Sequence, residues 1–125
     1  MPNSTRTQIG SYRELRVWQL AMAIVIEVYR VTRSFPAEEK FGLIAQLRRA
    51  AVAISSNIAE GRSRLGPAEF RRFVSMARGS AAEVETQLEV AVALGYVSGD
   101  DFTTLSTQLD ELSKMLFGLY RRLTS

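Results

Sequence analysis

The side chains with the most chemistry to offer in this 125-residue chain are its arginines. They make up fourteen of the sixteen basic residues, leaving only Lys40 and Lys114 as lysines. A guanidinium makes planar, paired hydrogen bonds to carboxylate or phosphate, so an arginine surplus suits a surface that grips either anion. A GC-rich codon bias gives the same skew, so composition alone leaves the reason open. The net charge is +3 and the sequence pI is near 9.7, and the charge is unevenly spread. Residues 40–80 carry eight basic side chains, Lys40, Arg48, Arg49, Arg62, Arg64, Arg71, Arg72 and Arg78, against Glu60 and Glu69, a net of +6. Residues 81–119 carry seven acids, Glu83, Glu85, Glu89, Asp100, Asp101, Asp110 and Glu111, against Lys114, a net of −6. The seven arginines of the basic segment are candidate contacts to nucleic-acid phosphates. They can equally face the acidic half of a second copy, a heterologous contact that closes into a ring when the rotation permits. A solvated face without a partner is the third reading.

The spacing adds detail. Arg64, Arg71 and Arg78 are seven apart, so Arg71 and Arg78 share a face of a helix that begins near Pro67, with Arg72 beside them. Such a stripe follows a phosphate backbone without reading bases. Phe70 and Phe73 fall on the apolar side, so no aromatic is expected to interleave the arginines outwardly, which argues against a single-strand stacking platform. A second pattern lies on the helix before it. At about 100° per residue, Gln46, Arg49, Ser56, Asn57 and Glu60 fall within roughly 100° of arc, opposite Ile44, Leu47, Ala51, Ile54 and Ile58. Small residues, Ala45, Ala50, Ala53 and Ser55, sit between and beside them. A polar stripe with small neighbours suits a close subunit contact bridged by hydrogen bonds. Asn57, a poor helix former, favours that reading over an ordinary exposed face.

Catalytic chemistry finds little to work with. The chain has no cysteine and no histidine, which excludes thiol nucleophiles, disulfides, Cys/His zinc sites and every imidazole-dependent triad. Glu85 and Glu89, four apart, could pair as carboxylates, but the di-iron bundle pattern needs Glu-x-x-His. The expectation is a non-catalytic protein with no metal and no cofactor.

These residues are positioned by helices. Leu15, Trp18, Ala21/Met22, Val25, Val28/Tyr29 and Thr32 step by three and four until Phe35-Pro36 closes the run. Glu38 and Glu39 sit where acids favour the next helix N-terminus. The second run is Ile44, Leu47, Ala51, Ile54, Ile58, with Gly61 to Pro67 read as a break and Pro67 as the first residue of a new helix. The third is Phe70, Phe73/Val74, Ala77, Ala81, Val84, Leu88, Ala91, closed by Gly95 in a left-handed cap. Ser98 and Asp101 resemble a capping pair ahead of the fourth run, Phe102, Leu105, Leu109, Leu112, Leu116, Leu119, Leu123. No strand is predicted. The fold class is all-α: an antiparallel up-down-up-down four-helix bundle over residues 12–125, behind a flexible tail over residues 1–11. A three-helix bundle with one long stray helix is the main alternative. The polar start and the short apolar stretch Leu20 to Ile26 predict neither a signal peptide nor a membrane span, and a cytoplasmic location.

The segment Gln46-Leu47-Arg48-Arg49-Ala50-Ala51-Val52-Ala53-Ile54-Ser55-Ser56-Asn57-Ile58-Ala59-Glu60-Gly61 resembles the signature of a bacterial family of four-helix bundles first met as reading frames inside 23S rRNA intervening sequences, often called ribosomal proteins. Tyr12-Arg13-Glu14-Leu15, Val17-Trp18-Gln19, Ala21, Phe41-Gly42-Leu43, Glu69-Phe70, Phe73, Ala77, Gly79-Ser80, Glu83, Glu85-Thr86-Gln87-Leu88 and Leu94-Gly95-Tyr96 fit the same pattern. Ser55 stands where members often have proline. The resemblance implies a ring-like homopentamer. It also implies similarity to the accessory variability proteins of diversity-generating retroelements, which bind nucleic acid and a reverse transcriptase through a basic surface. Two functions follow as expectations: an oligomer that binds RNA or DNA through Arg48, Arg49, Arg62, Arg64, Arg71, Arg72 and Arg78, or an adaptor that docks a protein partner and uses those arginines between subunits.

Overall fold

The computed structural model describes residues 11–124. The tail expected over residues 1–11 lies outside the described residues, save Ser11. Four long helices account for most of the described chain: α1 Arg16–Thr32, α2 Leu43–Ser63, α3 Pro67–Ala93 and α4 Gly99–Thr124, with short 3-10 turns at Tyr12–Glu14 and Ala37–Glu39. The three-helix alternative is overturned: each predicted run forms its own helix.

Capping chemistry sets most of the boundaries. Pro67 opens α3, where its missing N–H costs nothing. At the other end, Gly95 N–H donates to the Val92 carbonyl and Tyr96 N–H to the Ala91 carbonyl, a paired closure that requires the left-handed φ of +78° at Gly95. Ser98 Oγ accepts from the Asp101 amide at 3.1 Å and starts α4. Glu39 performs the same service for α2, its Oε1 accepting from Leu43 N–H at 3.0 Å.

One boundary differs from expectation. The break read at Gly61 falls later, because α2 continues to Ser63. Gly61 is buried against the start of α3; a Cβ there would come within 2.6 Å of Phe73 Cβ and 3.3 Å of the Phe70 carbonyl. The glycine lets two helices touch rather than ending one.

Contacts along the pairs fix the direction of each helix. Arg48 on the second turn of α2 reaches the last turns of α1. Gln87 near the end of α3 meets Gln46 near the start of α2. Arg71 near the start of α3 meets the Leu123 carbonyl at the end of α4, and Arg30 near the end of α1 pairs with Asp101 at the start of α4. The helices therefore run alternately up and down. The core is the inward stripe of all four: Ile24 and Val28, Leu47, Ile54 and Ile58, Val74 and Val84, and Leu105, Leu109, Leu112 and Leu116. No helix among the described residues is long and apolar enough to cross a membrane.

Candidate nucleic-acid interface

Alternation of direction brings the start of α1, the end of α2, the start of α3 and the end of α4 to one end of the bundle. Residues 11–23, 53–80 and 112–124 form that half. They carry ten basic side chains, Arg13, Arg16, Arg62, Arg64, Arg71, Arg72, Arg78, Lys114, Arg121 and Arg122, against Glu14, Glu60 and Glu69, a net of +7. The opposite half, residues 24–52 and 81–111, holds five basic and ten acidic side chains, a net of −5. The acids of the second block all fall in one end of the molecule, and five of the eight basic residues of the first block fall in the other.

The seven candidate arginines divide into three groups. Arg71 and Arg78 share the edge of α3 that faces α4, as the spacing of seven required. Arg71 donates to the Leu123 carbonyl at 3.4 Å, and the Arg78 guanidinium lies 5.1 Å from the centroid of the Phe117 ring on α4. Arg121, one turn further along α4, lies 5.8 Å from the same ring. Arg64 and Arg72 form the second group, both stacked on Phe73 at 5.1 and 4.7 Å. Each also meets a carboxylate on its own side of the turn, Arg64 with Glu60 at 2.6 Å and Arg72 with Glu69 at 3.3 Å. Arg62 lies half-buried on the last turn of α2, close to this group in sequence. These exposed pairs hold little energy and are easily exchanged for a phosphate.

Arg48 and Arg49 form the third group, at the far end of α2 within the acidic half. Arg48 is part of the scaffold: its Nε donates to Thr32 Oγ1 at 2.9 Å, its Nη2 to the Tyr29 carbonyl at 3.4 Å, and its guanidinium lies 4.4 Å from the Tyr29 ring centroid. Arg49 remains exposed. The sequence reading passed over Arg121, Arg122, Arg13 and Arg16, because they lie outside the basic block and only the fold adds them to it. It also missed Phe117, which the heptad of leucines on α4 places one position past the core residue Leu116.

The polar stripe of α2 lies mostly open. Gln46, Arg49, Ser56 and Glu60 are exposed and Asn57 is half-buried. Gln46 and Arg49 line a groove of about 440 Å³ with Ala50, Ala53, Glu83 and Gln87. The groove continues along α3 over Gly79, Ala82 and Thr86. Its floor is small side chains from two helices. Gln87 Nε2 donates to Gln46 Oε1 at 3.4 Å, and Gln87 Oε1 is buried without a hydrogen-bond donor among the described residues.

The acidic pair considered for chemistry sits on the other edge. Glu85 and Glu89 flank a shallow hollow with Ser106 and Asp110 between α3 and α4. Burial first, and the Asp110 charge second, push the Glu85 carboxyl above its ordinary value. Among the described residues no three acids converge in a way that could hold a metal ion.

The sequence profile of the 23S rRNA-intervening sequence proteins matches residues 13–118. In three dimensions the chain is similar to a protein of unknown function from the S23 ribosomal protein family of Bacteroides thetaiotaomicron VPI-5482. The two superpose with a TM-score of 0.75 at 20% identity, over 83% of this chain and 97% of that one. At that identity the likeness speaks for the fold. No curated protein matches the chain.

Proposed function

The chain belongs to the 23S rRNA-intervening sequence protein family, and we propose that it is a non-catalytic, oligomeric nucleic-acid-binding bundle whose basic end grips phosphates, RNA before DNA. The observation that carries this reading is the gathering of ten basic residues from four helices and their adjoining turns at one end against three acids. Phosphate neutralisation is the physical use that such a surface serves best, because each cation that meets a phosphate releases a condensed counterion. The working contacts are Arg62, Arg64, Arg71, Arg72 and Arg78, joined by Arg121 and Arg122. Arg48 belongs to the scaffold. The family name, with its reference to rRNA, agrees with RNA as the first ligand to try.

The test is a fluorescence anisotropy titration with a structured rRNA-type hairpin and an unrelated duplex at about 50 and about 200 mM salt. Binding that weakens steeply with salt is expected, as is a loss on Arg71→Glu/Arg72→Glu. No binding to either ligand at the lower salt would overturn the reading.

A second reading, assembly and docking of a protein partner, draws on the α2/α3 groove. Its floor of Ala50, Ala53, Gly79 and Ala82 lets another backbone approach closely, and a Cβ added at Gly79 would meet no atom of another element within 4 Å among the described residues. In this reading the groove joins subunits, with Gln46, Arg49, Ser56, Asn57 and Glu60 at or beside the contact. The two readings share one molecule: the groove assembles it and the basic end binds. If Arg71→Glu/Arg72→Glu breaks the oligomer and leaves RNA affinity unchanged, the arginines belong to subunit contacts and the adaptor reading leads. A reverse transcriptase is one such partner to try in a pull-down.

A further inference from the structure

We infer that Phe117, half-exposed beside the guanidiniums of Arg78 and Arg121, is a stacking platform for an unpaired nucleobase, which makes the basic end selective for single-stranded or looped nucleic acid over duplex. The inference rests on the nucleic-acid reading above and names the form of ligand that the same surface prefers.

Phe117 stands on α4 at the α3/α4 seam with 46% of its surface exposed. A single exposed phenylalanine is unremarkable by itself. Its neighbours make it specific. The Arg78 guanidinium approaches the ring from α3 and that of Arg121 approaches from the next turn of α4. Arg71, two turns below Arg78 on the same edge, reaches across to the end of α4. The acids of this seam, Glu85, Glu89 and Asp110, lie two or three turns away toward the other end. An aromatic ring with cations around it can take a base on its open surface or on a guanidinium plane, while the neighbouring arginines meet the attached phosphates.

Phe73 cannot play this part, although Arg64 and Arg72 stack on it: its side chain is buried in the α2/α3 contact. Duplex bases are covered on both faces by their neighbours, so a duplex gains only the phosphate contacts. An unpaired nucleotide gains these and the stack.

The experiment uses the full chain and labelled oligonucleotides of about 12 nucleotides: a single-stranded RNA, the same strand annealed as a duplex, and the matching single-stranded DNA. Parent protein is expected to bind both single strands tighter than the duplex by about tenfold, the order that one base–aromatic stack supplies. Phe117→Leu keeps an apolar side chain but removes the ring. It should lose that preference, leave duplex affinity unchanged and keep the salt slope, because stacking neutralises no phosphate. Phe117→Trp should keep the preference, which separates loss of the ring from damage to the fold. A 2-aminopurine placed in the single strand should be quenched by the parent and by Phe117→Trp, and not by Phe117→Leu. Equal binding of strand and duplex by the parent, or an unchanged preference in Phe117→Leu, would overturn the platform and leave the phosphate-binding reading standing. Failure of the parent to bind any of the three would overturn both.

Discussion

Two neighbouring arginines show how much a single position depends on its surroundings. Arg48 and Arg49 are adjacent in sequence and about 100° apart around α2. Arg49 is left exposed, whereas Arg48 turns toward α1 and is held by Thr32 Oγ1, the Tyr29 carbonyl and the Tyr29 ring. Thr32 is itself buried and donates to the Val28 carbonyl at 2.7 Å, so Arg48 anchors to a fixed oxygen. A charged hydrogen bond of this kind contributes about 1.5–3 kcal/mol, and a surface cation–π contact about 0.5–1 kcal/mol. Arg48→Ala is therefore expected to cost about 2 kcal/mol in urea denaturation and to change RNA affinity by less than about twofold. An unaltered denaturation midpoint together with weaker RNA binding would return Arg48 to the phosphate contacts. The sequence reading grouped Arg48 with the other arginines because its partners lie sixteen and nineteen residues away, where no spacing rule reaches.

At the scale of helices, what was legible follows local rules. The periods of three and four, Pro67 at the start of α3, Gly95 beyond its end and Ser98 before α4 act within a few residues, and each does in the structure what its type predicts. The end of α2 was misplaced because glycine has two uses, and sequence cannot say which applies. At Gly61 the use is close approach, so Gly61→Ala forces a Cβ against Phe73 Cβ and the Phe70 backbone, neither of which can swing aside. Separating α2 from α3 at that end is expected to cost about 1–3 kcal/mol, read as a lower midpoint in thermal or urea unfolding. A Gly61→Ala protein as stable as the parent would show that the two helices do not touch there. A second prediction concerns the α3/α4 seam. Glu85 carries a carboxyl raised by burial and then by Asp110, so the folded state holds its proton more tightly than the unfolded state does. Stability then falls as pH rises from the ordinary carboxylate value through the raised one, and the cost is fully present once the carboxyl has ionised in the folded state. Glu85→Gln is expected to be more stable than the parent at pH 7, with the advantage vanishing at pH values below the ordinary carboxylate range. A constant difference across that range would locate the effect in packing instead of charge.

The whole molecule is where the sequence was least readable, because a charge map along the chain is not a charge map in space. The basic block of residues 40–80 lost Lys40, Arg48 and Arg49 to the acidic half, and the basic end gained Arg13 from the 3-10 turn before α1, Arg16 from α1, and Lys114, Arg121 and Arg122 from α4. The folded chain is thus polarised along its axis, +7 at one end and −5 at the other. Polarity of this kind has different consequences for different assemblies. Copies stacked end to end would cancel their basic surfaces, and high salt would separate them. Copies joined side by side through the α2/α3 groove, pointing the same way, would add theirs into one multivalent face whose affinity exceeds that of a single subunit. The groove floor of Ala50, Ala53, Gly79 and Ala82 favours the side-by-side arrangement. Ala53→Arg fills the floor with a long charged side chain while leaving the basic end intact. Light scattering is expected to show the parent as an oligomer and Ala53→Arg as a monomer of unchanged helical circular dichroism. RNA affinity should fall by about 10²-fold as avidity is lost, with a shallower dependence on salt. A monomer that binds as tightly as the parent would confine binding to one subunit's basic end, and an Ala53→Arg protein that stays oligomeric would place the subunit contact away from this groove.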